Sequence, residues 1–160
     1  MKKIEMSKVL IALDYNPSAR KVAEIGYMLA KKMNAEVFLM HVLLTPVFYS
    51  STEYSPITGF INFGDLAEMK LDNYENINKA AQHFLNKTKD HLGDKNIKTV
   101  IGDGEFALTI LQKAKEVAAD IIVMGSHSRK WLDNIVMGSV TQEVLKKSTL
   151  PLFIIPVKNQ

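Results

Sequence analysis

Five short apolar runs, each suited to a buried β-strand, alternate along this chain with longer stretches of helical periodicity. Val9-Leu10-Ile11-Ala12-Leu13 is continuous, as a strand covered on both faces must be. Val37-Phe38-Leu39-Met40 opens a second strand that runs to about Leu43. Ile97 to Ile101, Ile121 to Met124 and Leu152 to Ile155 give three more. Val22, Ile25, Met28, Leu29 and Met33 recur at helical spacing between the first two. Asn16-Pro17 precedes them as a cap and a proline at a first helical position, and Asn34 is the expected stop. A longer helix is predicted from about Asp65 to His91, with Ile77, Ala81, Phe84, Leu85, Thr88 and Leu92 as its apolar stripe and Gly93 as its C-cap. Phe106, Ile110, Leu111, Ala114, Val117 and Ala118 mark a third helix, and Val140, Val144 and Leu145 a short fourth.

This β-α-β-α-β-α-β-α-β order predicts one α/β domain over 1–160, an open doubly wound parallel sheet with helices on both faces. Such sheets bind ligands beyond the carboxyl ends of their strands, where the strand order reverses. Asp14 follows the first strand and Gly125 ends the fourth, so chemistry is expected there. Residues 45–64 interrupt the rhythm with Pro46, Pro56, Gly59, Gly64 and the aromatics Phe48, Tyr49, Tyr54, Phe60 and Phe63. A connection this long reads as a functional lid or a mobile segment.

Composition narrows the function. The chain has no cysteine, which excludes disulfides, zinc–thiolate sites and thiol catalysis. A net charge of +3 is a mild excess. The pairs Lys31-Lys32, Arg129-Lys130 and Lys146-Lys147 read as solvated helix ends or loop tips, so no nucleic-acid partner is expected. No signal-peptide pattern opens the chain and no apolar run spans a bilayer, so a cytoplasmic location away from membranes is expected.

The richest motif is Gly125-Ser126-His127-Ser128, nine residues, then Gly138-Ser139. A glycine-punctuated loop between a strand and a helix start offers bare amides and a positive dipole end to a phosphate. Ser139-x-x-Gln142 also fits a capping box, and the two readings are compatible. Asp14 reads either as an Asx turn or as a carboxylate for ribose hydroxyls. Gly102-Asp103-Gly104-Glu105-Phe106-Ala107 matches G-x-G-x-x-A, but it lies late in the chain and lacks its acidic partner, so a flexible turn explains it. His41 reads as a core or rim histidine. His83 and His91 are too far apart on one helix for a shared metal, and His127 lies in the motif loop. There is no P-loop, no nucleophile elbow, and no pattern for an activated nucleophile or metal centre. No catalytic or metal-binding residue is therefore expected.

Met124-Gly125-Ser126-His127, the spacer, and Gly138-Ser139-Val140-Thr141 resemble the universal stress protein family, whose nucleotide-binding members carry G-x2-G-x9-G-S/T. Ala119 to Gly125 looks like the family's lead-in, and Leu150-Pro151-Leu152-Phe153-Ile154-Ile155-Pro156 like its exit into the last strand. Lys8 to Asp14 resembles its first strand with its aspartate, and His41-Val42 the end of its second. The resemblance implies strand order 3-2-1-4-5. It also implies ATP as ligand, with or without Mg2+, or AMP or ADP. Adenine would lie near Val42, ribose near Asp14 and Gly125, and phosphates along the loop to Gly138, Ser139 and Val140. Ala12, Met124, Ser126, His127, Ser128, Arg129 and Thr141 complete the implied nucleotide-binding set. A homodimer through the last strand, an unidentified protein partner and a regulatory role in stress response follow by the same resemblance, and hydrolysis should be slow or absent because no general base or metal cluster is evident. The family motif has glycine where this chain has Ser128, and Trp131 has no family role. The alternative is a dimeric interaction module of the same fold that takes no nucleotide.

Overall fold

The strands form because their β-branched and long apolar residues run without a polar break, and such runs need cover on both faces. In the computed structural model, which describes residues 5–43, 74–126 and 137–157, they are β1 (Lys8–Ala12), β2 (Glu36–Val42), β3 (Lys98–Gly102), β4 (Ile121–Gly125) and β5 (Leu152–Ile155). All pair in parallel, in the order β3-β2-β1-β4-β5, as the resemblance implied. β1 is central, with Val9 opposite both Val37 and Ile121. Successive side chains point to opposite faces. Val9 and Ile11 join one core with α1 (Ala19–Lys32) and α2 (Tyr74–Leu92), while Leu10 joins another with α3 (Phe106–Glu116) and α4 (Ser139–Lys147). Gly26 lets α1 lie close to the sheet, since a β-carbon there would sit 2.9 Å from Ile11 Cδ1.

The helix ends correct two details. α1 starts at Ala19, two residues after Pro17, so Pro17 is not a first helical residue of it. Asp14 accepts from the Asn16 amide, and Asn16 Oδ1 accepts from the Ser18 amide. Two successive Asx turns therefore use up the chain before the helix can begin. Asn34 and Gly93 end their helices in the left-handed region, at φ 55° and 70°, as expected. α3, in contrast, stops at Glu116. Val117 caps it, and Ala118, expected within the helix, is left-handed at φ 55°. Its apolar side chain gives no warning of this. An L-residue there costs about 1–2 kcal/mol, partly offset by the chain entropy glycine would lose. Ala118→Gly should therefore raise stability by about 0.5–1 kcal/mol, read as a higher melting temperature.

The predicted helix start at Asp65 and the 45–64 loop lie outside the described residues. Lys31 and Lys32 occupy the last turn of α1, and Lys146 and Lys147 that of α4, where cations meet the negative dipole end. Among the described residues, no helix is long and apolar enough to cross a membrane.

At the amino edge of the sheet, Asp120 ties β1 to β4. One carboxylate oxygen accepts from the Ser7 and Lys8 amides at 2.8 and 2.9 Å and from the Ser7 hydroxyl at 3.2 Å. The Ser7 amide does most to hold the carboxyl below its ordinary pKa. A carboxyl with a depressed folded pKa stabilises fully above its unfolded value, about 4. That contribution fades as pH falls through the folded value. Asp120→Ala should therefore cost about 1–2 kcal/mol at pH 7, and the gap to wild type should narrow towards pH 3 in urea midpoints.

Candidate functional site

The central strand is where the sheet's connections diverge. α1 leaves β1 on one face, while α3 and α4 pack on the other. An open cleft lies beyond the carboxyl ends of β1, β2 and β4. This is where a doubly wound sheet is expected to bind. Ala12, Met40, Val42, Ile110 and Met124 give it an apolar wall. Gly125 adds backbone, Ser18 and Ala19 contribute the start of α1, and Ser139, Val140 and Thr141 the start of α4. Asp14 and His41 are its titratable lining residues.

Asp14 is half-buried and makes the Asx turn, one of the two readings offered by the sequence. One oxygen accepts from the Asn16 amide at 3.1 Å, which fixes the carboxylate by an Asx turn at the cleft's edge. His41 is buried as expected, with more contacts than the sequence suggested. Its Nδ1 lies 2.8 Å from the Leu13 carbonyl, and because a carbonyl only accepts, Nδ1 carries a proton. Its ring stacks on Tyr15 at 4.2 Å and meets Phe84 edge-on at 5.6 Å. The side chain next to Asp14 is thus clamped between β2 and α2.

Around α4 the capping-box expectation is corrected. The N-cap is Gly138, not Ser139, and among the described residues no side chain caps the start of this helix. Gln142 turns away and donates to the Met137 carbonyl at 2.9 Å. The first amides of any α-helix have no acceptor within it. Ser139, the first helical residue, is exposed. The helix start thus lies at the cleft, and among the described residues no side-chain cap takes up its first amides. Thr141 donates its hydroxyl to the Gly125 carbonyl at 2.9 Å, which staples the first turn of α4 to the end of β4. Ser126 and Gly138 stand behind the cleft and are joined to each other, Gly138 N–H donating to the Ser126 carbonyl at 3.0 Å. His127, Ser128, Arg129 and Trp131 lie outside the described residues.

α3 begins at the same edge of the sheet with a contrasting solution. Glu105 is its N-cap, and the carboxylate accepts from the Ala107 and Leu108 amides at 3.1 and 2.8 Å. The Leu108 amide does most to hold that carboxyl below its ordinary pKa. The amides that a dinucleotide pyrophosphate would need are already filled by an anion. Gly104, at φ 130°, makes the turn that glycine was expected to serve. The Gly102–Ala107 motif is therefore a self-capped turn.

His91 faces away from the cleft and pairs with Glu24 at 2.7 Å, which holds Glu24 below its ordinary pKa together with Arg20. Among the described residues, no group of three His, Asp or Glu side chains is placed to hold a metal. The sequence reading missed Ser18, Ala19, Met40 and Ile110 as cleft walls. Met40 and Ile110 read as core on periodicity. Ser18 and Ala19 were readable only as the first turn following the Asp14 strand end.

Residues 6–156 match the model of the universal stress protein family. Universal stress protein YxiE of Bacillus subtilis is 30% identical over 152 residues, covering 93% of this chain and 98% of the relative. The solved structure of MJ0577, from Methanocaldococcus jannaschii, superposes with a TM-score of 0.69 at 24% identity, covering 98% of this chain and 100% of that one. A universal stress protein family structure from Arabidopsis thaliana, solved with AMP bound, superposes with a TM-score of 0.58 at 20% identity over 95% of this chain and 92% of that one.

Proposed function

The chain belongs to the universal stress protein family, and from that premise we propose that its cleft binds an adenine nucleotide as a regulatory ligand. The observation that carries this reading is the start of α4, which among the described residues has no side-chain cap and lies in a cleft that also holds a fixed carboxylate. The three parts suit the three parts of a nucleotide. Ala12, Val42 and Met124 offer an apolar wall to a base. The Asp14 carboxylate accepts hydrogen bonds from ribose hydroxyls. The Ser139 and Val140 amides and the α4 dipole favour phosphate without a dedicated lysine.

AMP in the Arabidopsis relative supports the adenine nucleotide class. We assign ATP, with or without Mg2+, as the physiological ligand, with ADP and AMP as weaker occupants. Ala12, Asp14, Val42, Met124, Gly125, Ser139 and Val140 make the contacts. Ser126, Gly138 and Thr141 shape the site, and the family resemblance adds His127, Ser128 and Arg129, which lie outside the described residues, as phosphate contacts. Hydrolysis is slow or absent, because among the described residues neither a general base nor a metal cluster stands beside the Ser139 and Val140 amides. The output is regulatory, in the cytoplasm, from a single-domain chain that pairs with a second copy through β5. That strand is terminal in the sheet, is followed by Pro156 and leaves Phe153 exposed.

Isothermal titration of the full chain with ATP and with AMP, each with and without Mg2+, tests the ligand. Saturable heat at one nucleotide per chain is the expected result. No heat at millimolar nucleotide overturns the proposal and leaves the interaction module.

A further inference from the structure

Ser126 is held from three directions. Its amide donates to the Ile155 carbonyl at 3.0 Å, which carries the β4–β5 ladder one residue beyond the strands. Its hydroxyl oxygen accepts from the Val157 amide at 3.1 Å. Its carbonyl accepts from the Gly138 amide at 3.0 Å, and Gly138 is the residue on which α4 begins. One serine therefore connects the segment after β5 to the helix start that faces the cleft. The segment is gripped elsewhere too. Lys21 Nζ donates to the Pro156 carbonyl at 2.9 Å, and the Val157 side chain packs beside Gly125. Ser126 itself is not among the cleft-lining residues.

We infer that Ser126 is a positioning residue, through which Pro156–Val157 sets the placement of the α4 amides and so the affinity of the cleft for an adenine nucleotide. The affinity half of this inference rests on the reading of the cleft given above. Amides recognise a phosphate well only when held to within about half an ångström. Ser126 and Gly138 also close the chain between them, and freeing that closure returns conformational entropy to the helix start. The Val157 amide is one fixed point of this arrangement, and Val157 is not among the cleft-lining residues.

Two substitutions remove the same hydrogen bond from opposite ends. Val157→Pro deletes the donor while keeping an apolar ring, and Ser126→Ala deletes the acceptor. In the folded chain, checked by circular dichroism, each should raise hydrogen exchange at the Gly138 amide at least about fivefold without ligand, and weaken AMP binding about five- to tenfold. Val157→Ile and Ser126→Thr, which keep the bond, should match wild type. The Ser126→Ala, Val157→Pro double variant should be no weaker than either single one, because both remove one interaction. Wild-type exchange at Gly138 in folded Val157→Pro overturns the inference, as does full additivity in the double variant. A wild-type chain that gives no signal with AMP overturns the reading of the cleft instead, and Gly138 exchange then still decides whether the segment after β5 governs the helix start.

Discussion

Ser139→Glu is expected to weaken adenine nucleotide binding about a hundredfold while leaving the protein at least as stable as before. Ser139 is the first residue of α4 and is exposed, so the longer side chain meets no packing constraint. An acidic residue in the first turn favours the helix dipole by about 0.3–1 kcal/mol. For a bound phosphate the sign reverses. Two unit charges about 4 Å apart repel by about 1 kcal/mol in a water-like medium and by about 4 kcal/mol at a protein-like effective dielectric. The middle of that range corresponds to about two orders of magnitude in dissociation constant. Opposite shifts in melting temperature and affinity identify an anion site, since a variant that merely damaged the fold would lower both. Titration and thermal melts of one sample decide it, and unchanged affinity places the phosphate elsewhere. Ser139→Ala should lose less than tenfold, because the amides remain.

Phe84→Ala should bring the largest loss of stability, about 3–5 kcal/mol. The ring is fully buried in α2, edge-on to Tyr15 at 5.0 Å and close to His41. It links three segments distant in sequence: the turn after β1, the end of β2, and α2. Removing it opens a cavity and deletes two aromatic contacts that contribute beyond their buried area. Native stabilities are typically 5–15 kcal/mol, so much of the margin would go. The melting temperature should fall by about 10 °C or more for a chain of this length. Phe84→Leu should cost less than half as much. Urea denaturation measures both, and a loss under about 1 kcal/mol for the alanine variant would mean that the ring is not packed as described.

The architecture could be read from the chain because buried parallel strands leave an unmistakable mark. Val9 to Leu13 and Ile121 to Met124 contain no polar residue, and β5 occurs where Leu152 to Ile155 placed it. Strand ends shifted by a residue, as with β1, because hydrogen bonding rather than hydrophobicity sets them. Strand order was accessible only through the family resemblance, since apolar runs do not name their neighbours. At the site, the strand ends bearing Asp14 and Gly125 were legible, and the structure brings both to one cleft. What was hidden depended on which local hydrogen bond wins. Ser139 and Gln142 have the right types and spacing for a capping box, yet Gly138 takes the cap and Gln142 bonds Met137. Ala118 ends a helix in a conformation its side chain does not advertise. Ser126 looked like a ligand contact because it lies in the motif, and only the tertiary structure places Val157 against it.

The N-caps Glu105 and Gly138 share one backbone shape, with φ of −67° and −66° and ψ of 132° and 156°. The peptide geometry at the two helix starts is therefore almost interchangeable, and the side chain alone distinguishes them. One start carries its own counter-charge and is closed to visitors, while the other is left receptive. Ligand choice in this fold is thus written by omission. On the proposed reading of the cleft, moving a single acidic residue between these two equivalent addresses closes one anion site and opens another without redrawing any strand or helix.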